Sequence, residues 1–177
     1  MKQQGSMKKW MCAAAAVLGM TITSAVALTA AGADVPFPEG YRHWTFLHSS
    51  MVPPTFGDFA RKPCEKPCTA GLYHFYGNDK AMAGLKTGKY EDGAIFAEEM
   101  LEYLGNANGS GKEGPHRVTG VMVKDSKLYA STGGWGFGNF VHGSKVNELD
   151  EAARNACFQC HIPKKDRGYV FTEYTER

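Results

Sequence analysis

Cys157-Phe158-Gln159-Cys160-His161, close to the C-terminus, is the stretch from which the rest of the chain is read. The spacing C-x-x-C-H is the attachment signature of a c-type haem. Two thiols add across the two vinyl groups on one edge of a porphyrin, and the adjacent imidazole is then held beneath the iron as its proximal ligand. The cofactor expected is one covalent haem c, with Cys157 and Cys160 as attachment points and His161 as the axial ligand. The same thiols admit two other readings: a structural disulfide, or a four-thiolate zinc site completed by Cys64 and Cys68. A histidine directly after Cys160, an export signal at the N-terminus and a helix leading into the motif favour haem.

The helix before the motif is the best-defined element in the sequence. Asn147 is a natural N-cap, and Glu148, Asp150 and Glu151 put negative charge at the positive end of the helix dipole. Leu149, Ala152, Ala153 and Ala156 recur at i, i+3, i+4 and i+7, which predicts one packed face with close approach at its alanines. Behind the motif, Pro163 precedes a basic patch of Lys164, Lys165 and Arg167, read either as a partner for haem propionates or as solvated surface. Residues 169–174 are expected to close the chain as a strand.

Residues 1–33 read as a cleaved secretory signal peptide. Lys2, Lys8 and Lys9 form the n-region, an apolar run follows, and Ala31-Gly32-Ala33 offers a cleavage site before Asp34. A membrane anchor is the alternative, but the strongly apolar part is short and rich in alanine and threonine. Residues 34–177 are then a single domain, of sufficient length for one core. Without the three signal lysines the basic count falls from 20 to 17, against 18 acidic residues. That balance gives no reason to expect nucleic acid or an anionic membrane surface as partner. The expected location is periplasmic or otherwise exported, with no membrane attachment after cleavage.

Residues 41–48 are aromatic-rich and predict a strand. Residues 51–60 contain Pro53-Pro54 and predict an irregular loop. Cys64 and Cys68 sit among Pro63 and Pro67, where a small disulfide clamping a loop is the preferred reading and a metal role the alternative. Residues 71–76 predict a strand, Asn78 a cap for a short helix ending before Gly88, and Asp92-Gly93 a turn. Residues 105–114 are polar and glycine-rich, and read as a surface loop without the Gly-Lys-Ser/Thr ending or the strand–loop–helix context of a phosphate cradle. A hairpin is expected from 116–124 and 127–131, with Val121 and Val123 on one face and Met122 on the other. From Gly133 to Phe140 glycine alternates with bulky aromatics, which either admits something flat such as a porphyrin or marks a bulge.

Several of these pieces, in this order, resemble the cytochrome P-460 family, which includes cytochrome c′-beta. They are Tyr41-Arg42-His43-Trp44, Thr87-Gly88 with Asp92-Gly93, and Val123-Lys124-Asp125-Ser126-Lys127. Gly134-Trp135, the C-x-x-C-H motif and Tyr169-Val170-Phe171-Thr172 complete the set. The resemblance implies an α+β, mainly β domain: an antiparallel sheet of about five strands with short helices and a C-terminal haem helix. It also implies a homodimer and an open distal iron position facing the sheet, and it favours strand over helix for 94–104. In family members that oxidise hydroxylamine, a sheet lysine is cross-linked to the porphyrin five residues after the glycine of the Asp-Gly turn. The same count from Gly93 reaches Glu98. An arginine of the preceding strand falls at Leu72, and a glutamate at Gly120. The resemblance therefore implies the non-cross-linked c′-beta type, which binds nitric oxide and carbon monoxide in an apolar distal pocket.

If 94–104 is a strand, Ala94, Phe96 and Glu98 share a face. Phe96 is then a candidate cap over the iron and Glu98 its one polar neighbour; the plainer reading makes Phe96 core and Glu98 solvated. The leading function is binding of a small gaseous or nitrogenous ligand, foremost nitric oxide. The second is hydroxylamine oxidation, with Glu98 as proton acceptor and Lys86, Lys89 or Lys127 making a cross-link. The third is electron transfer with a methionine ligand from Met51, Met82, Met100 or Met122. No residue pattern identifies the redox partner. For Cys64 and Cys68, thiol labelling of denatured, unreduced mature protein should modify neither residue, and free thiols at both would defeat the disulfide.

Overall fold

The computed structural model describes residues 34–52, 70–106 and 110–174. The segment 1–33 and the pair Cys64 and Cys68 lie outside these. Five strands run β1 (Thr45–Val52), β2 (Gly71–Gly77), β3 (Ile95–Gly105), β4 (Gly111–Lys124) and β5 (Trp135–Val141). They form one antiparallel sheet in chain order, β1-β2-β3-β4-β5. Helix α1 (Asp79–Thr87) follows β2, and α2 (Glu151–His161) follows β5 and carries the C-x-x-C-H motif. The fold is mainly β with two helices, as the sequence reading and the resemblance both anticipated.

Strand alternation divides the apolar residues between two cores. On one face Met122, Trp135 and Phe137 pack with Ala81 and Leu85 of α1, Ala94 and Val170, joined by Phe96, Cys157 and Phe158. On the other, Val121, Phe140 and Tyr129 pack with Val35 from the N-terminal segment. The expected split of Val121 and Val123 from Met122 is observed.

Helix α1 forms where Asn78 was expected to cap it. The Asn78 Oδ1 accepts from Ala81 N at 2.9 Å and from Ile95 N at 3.1 Å, while Nδ2 donates to the Gly93 carbonyl at 2.8 Å. One side chain thus starts the helix and ties the Asp92-Gly93 turn to it.

Several boundaries differ from the sequence reading. Residues 41–43 are a 3₁₀ turn, because the Tyr41 hydroxyl is drawn inward to Glu99 and the strand begins at Thr45. Met51 and Val52, placed in a loop, pair with Leu72 and Gly71 as the end of β1. The glycine-rich loop is shorter than expected: Gly111 already pairs with Gly105, and Lys112 and Glu113 continue β4. Residues 127–131 are not a strand. Asp125 Oδ1 accepts from Lys127 N and Leu128 N at 3.0 and 2.8 Å, which curls this stretch into a turn, and the hairpin partner of β4 is β5.

The glycines of β5 face away from the motif: a methyl at Gly136 would lie 2.4 Å from the Tyr129 ring. Gly136 thus admits a tyrosine of the second core, and Gly138 the side chain of Val35. In α2 the cap is Asp150, which accepts from Ala153 N at 2.8 Å, whereas Asn147 bonds to the backbones of Asn139 and Leu149. Ala152 and Ala156 are exposed, and the covered side of α2 runs through Ala153, Arg154, Cys157, Phe158 and His161. The expected strand at 169–174 does not form: Gly168 and Tyr169 are a left-handed turn, and residues 170–174 pair with no strand.

Asn78→Ala removes a cap and two loop-to-strand bonds together. Denaturant unfolding should show a loss of about 2 kcal/mol. A change within experimental error would mean that water replaces all three bonds.

Candidate haem site

The covered side of α2 brings Cys157 and His161 against β5, where the Phe137 and His161 ring centroids are 5.2 Å apart. Beyond the motif a 3₁₀ segment (Ile162–Arg167) ends at Gly168 with φ 65°, and Tyr169 follows with φ 68°. These two left-handed residues reverse the chain. Val170 then enters the core and the Tyr169 carbonyl meets His161 Nδ1 at 2.7 Å. A carbonyl can only accept, so Nδ1 carries the proton and the Nε2 lone pair is left for a metal. Burial lowers the His161 pKa, opposed by the bond to Tyr169, so the neutral imidazole that can ligate iron is favoured.

A cavity of about 450 Å³ lies between α2, the 169–174 segment and the sheet. Cys157, Cys160 and His161 form one side of it, and Val170, Phe171 and Thr172 close another. The sheet contributes two successive cross-strand rows on the same face. The first reads Phe75, Glu98, Gly120, Asn139 and the second Gly77, Phe96, Met122, Phe137. All of these except Gly77 line the cavity. The second row is apolar throughout, and the first carries the only carboxyl among the cavity's walls, Glu98.

Position 120 has no side chain, and a Cβ there would lie 3.5 Å from Asn139 Oδ1 and 3.7 Å from Glu98 Cβ. The floor between the carboxyl and the amide is therefore bare. Burial alone raises the Glu98 pKa above the ordinary carboxylate range. The Cys157 thiol is pushed up by burial first, with Cys160 and Glu98 adding to it, and Cys160 is exposed. No disulfide joins Cys157 to Cys160.

Of the distal candidates, Phe96, Glu98 and Gly120 lie in this cavity together with the motif residues. Leu72 does not. It stands three residues before Phe75 in β2, so strand alternation turns it to the opposite face. Phe75 and Asn139 were missed as candidates. For Asn139 parity was the available signal, since it follows Trp135 and Phe137 by steps of two, whereas Phe75 needs its pairing with Glu98 across the β2–β3 ladder. Among Met51, Met82, Met100 and Met122, only Met122 is a wall of the cavity, and it packs there with Trp135 and Phe137. Of the basic patch, Lys164 Nζ sits 5.7 Å from the ring of Phe171 at the cavity, and Arg167 is paired with Glu173.

Two thiols at attachment spacing, an imidazole with its second nitrogen already engaged, and a largely apolar space facing them fit a haem. A group of three or more histidine, cysteine or carboxylate residues able to hold a metal ion does not occur among the described residues. The four-thiolate zinc reading needs Cys64 and Cys68, which lie outside them.

Comparison with known families supplies one match. The family model described as Cytochrome P460 matches residues 38–172, from ahead of the first strand through the motif to the cavity-lining Thr172. No curated protein matches the chain.

The raised pKa of Glu98 carries a sign for stability. The folded state holds this proton more tightly than the unfolded chain, so the carboxyl is tolerated at low pH and destabilises increasingly as pH rises through its ordinary range and up to its folded value. Glu98→Gln should therefore raise the unfolding free energy at about pH 7 and change it little at about pH 4. Equal effects at both would mean that the carboxyl is solvated.

Proposed function

Since the chain belongs to the cytochrome P460 family, we propose that this haem protein carries one haem c, joined through Cys157 and Cys160 and ligated by His161, and that it binds a small diatomic ligand, foremost nitric oxide. The observation that carries the reading is the shared cavity, in which the motif faces an apolar wall of Phe75, Phe96, Met122 and Phe137. When bound, the haem supplies the iron that takes the ligand.

The chain's own residues do the rest. The Tyr169 carbonyl fixes the orientation and tautomer of His161. The aromatic and methionine side chains keep water scarce and favour an uncharged ligand over an ion. Glu98 and Asn139 flank the bare floor at Gly120, where a carboxyl and an amide can hydrogen-bond a polar diatomic. The lysine-rich start of the chain and its apolar run support export, and the family resemblance supports a homodimer; both are part of the proposal.

A second reading has one observation in its favour. A half-buried carboxyl with a raised pKa is also suited to accept a proton from a substrate such as hydroxylamine. Against it, Glu98 occupies the position at which the resemblance places the cross-linking lysine.

Purified protein, denatured and extracted with acid–acetone, should keep its haem. A tryptic haem-peptide should contain Cys157 and Cys160 and no lysine joined to the porphyrin. The reduced protein should show an ordinary c-type spectrum and take up nitric oxide, with negligible hydroxylamine turnover. Clean extraction of the haem would overturn the cofactor reading. A porphyrin fragment joined to Lys86, Lys89 or Lys127, with steady turnover, would select the enzyme. Glu98→Lys returns an amine to the cavity, and appearance of a cross-link in that variant alone would show that residue type at this position separates the two activities.

A further inference from the structure

We propose that Trp135 is a positioning residue for the iron's proximal ligand, acting through the Gly168–Tyr169 turn; the inference rests on the haem reading above. Trp135 is fully buried, at 1% exposure, and its indole N–H donates to the Gly168 carbonyl at 2.9 Å. The next carbonyl in the chain, that of Tyr169, takes the His161 Nδ1 proton at 2.7 Å. Two consecutive peptide carbonyls are thus held by two separate donors, one from the sheet and one from the motif.

The backbone between them is in an unusual state. Gly168 and Tyr169 are both left-handed, at φ 65° and 68°, and Tyr169 is one of only two non-glycine residues with positive φ among those described. Tyr169 N donates to the Lys164 carbonyl at 2.7 Å and Gly168 N to Lys165 at 3.1 Å, which pins the turn to the end of the 3₁₀ segment. Packing closes it from both sides. A methyl at Gly168 would fall 2.7 Å from the Tyr90 ring, and one at Gly133 would fall 2.6 Å from the ring of Tyr169. Tyr90 in turn stands edge-on to Trp135, with centroids 5.3 Å apart.

The geometry has a direct consequence for the iron. A histidine whose Nδ1–H is hydrogen-bonded becomes a stronger donor at Nε2, and its ring plane is held. Phe137 at 5.2 Å and Phe171 at 4.9 Å flank the imidazole but offer it no hydrogen bond. Its electronic character is therefore set through Tyr169, and the aim of that carbonyl depends on Trp135. A buried indole N–H also needs a partner, so the Trp135 bond and the orientation of the turn stand or fall together.

The test compares the haem-loaded wild type with Trp135→Phe, which keeps an aromatic ring and removes the donor, and with Tyr90→Phe, which keeps the packing and leaves the bond. In the ferrous protein, Trp135→Phe should move the iron–histidine stretching band in resonance Raman to lower frequency. It should also raise the reduction potential, since a weaker donor stabilises the ferric state less. Tyr90→Phe should leave both unmoved. No movement in Trp135→Phe, or equal movement in both variants, would overturn the inference. Should Trp135→Phe fail to accumulate, the wild-type carbon monoxide complex decides by NMR. The Trp135 Nε1 and His161 Nδ1 protons should both exchange slowly with solvent, and rapid exchange of either defeats the proposal. Absence of covalent haem from the wild type is a separate outcome that sinks the functional reading itself.

Discussion

The bond between His161 Nδ1 and the Tyr169 carbonyl ties the end of α2 to a segment that pairs with no strand and that forms one wall of the cavity. Residues 169–174 have no ladder to hold them. They are fixed instead by Val170 in the core, by the histidine beside Tyr169, and by the Trp135 bond to Gly168. With the segment held there, Val170, Phe171 and Thr172 become a wall facing the sheet. The same bond selects the tautomer that leaves Nε2 available, so one contact both shapes the space and prepares its ligand.

The sheet's part follows from register. Two adjacent cross-strand rows meet the motif, and because they lie on one face, residues far apart in sequence converge without any loop supplying them. Phe75, Phe96, Met122 and Phe137 come from four different strands. A shift of one residue in a ladder would turn the slipped strand's wall residue to the opposite face, which makes the site sensitive to register rather than to any single contact.

Much of this was legible in the sequence, and the failures share a cause. The motif, the Asn78 cap, the Asp92-Gly93 turn and the parity of Val121, Met122 and Val123 are local signals, and each appears where it was read. Errors fell where one particular side chain, distant for Tyr41 and only two or three residues away in the other cases, decides the backbone. Tyr41 turns inward because Glu99 lies beneath it, Asp125 folds 127–131 into a turn, and Asp150 displaces Asn147 as the cap of α2. Leu72 was placed by counting from a resemblance, and counting does not register face. Phe75 was recoverable from the same strand by parity with its ladder partner Glu98, had that pairing been known.

Glu98 and Glu99 make the electrostatic logic plain, because they are neighbours in β3 on opposite faces. Glu99, at 4% exposure, is answered on its own side: Arg42 and the Tyr41 hydroxyl both donate to its Oε1, and Tyr41 in turn meets Thr119 at 3.4 Å. That carboxylate is part of a closed polar network linking the N-terminal turn to β3 and β4. Glu98 meets no such provision. Its raised pKa has burial as its sole cause, whereas the Glu99 bond helps hold the Arg42 guanidinium charged. A stabilising role would have been served by the first arrangement, since partial burial without a charged partner works against an ionised carboxyl. Under the proposed function, Glu98 is the cavity's one carboxyl able to hydrogen-bond or exchange a proton with a guest, beside a glycine that leaves room for it.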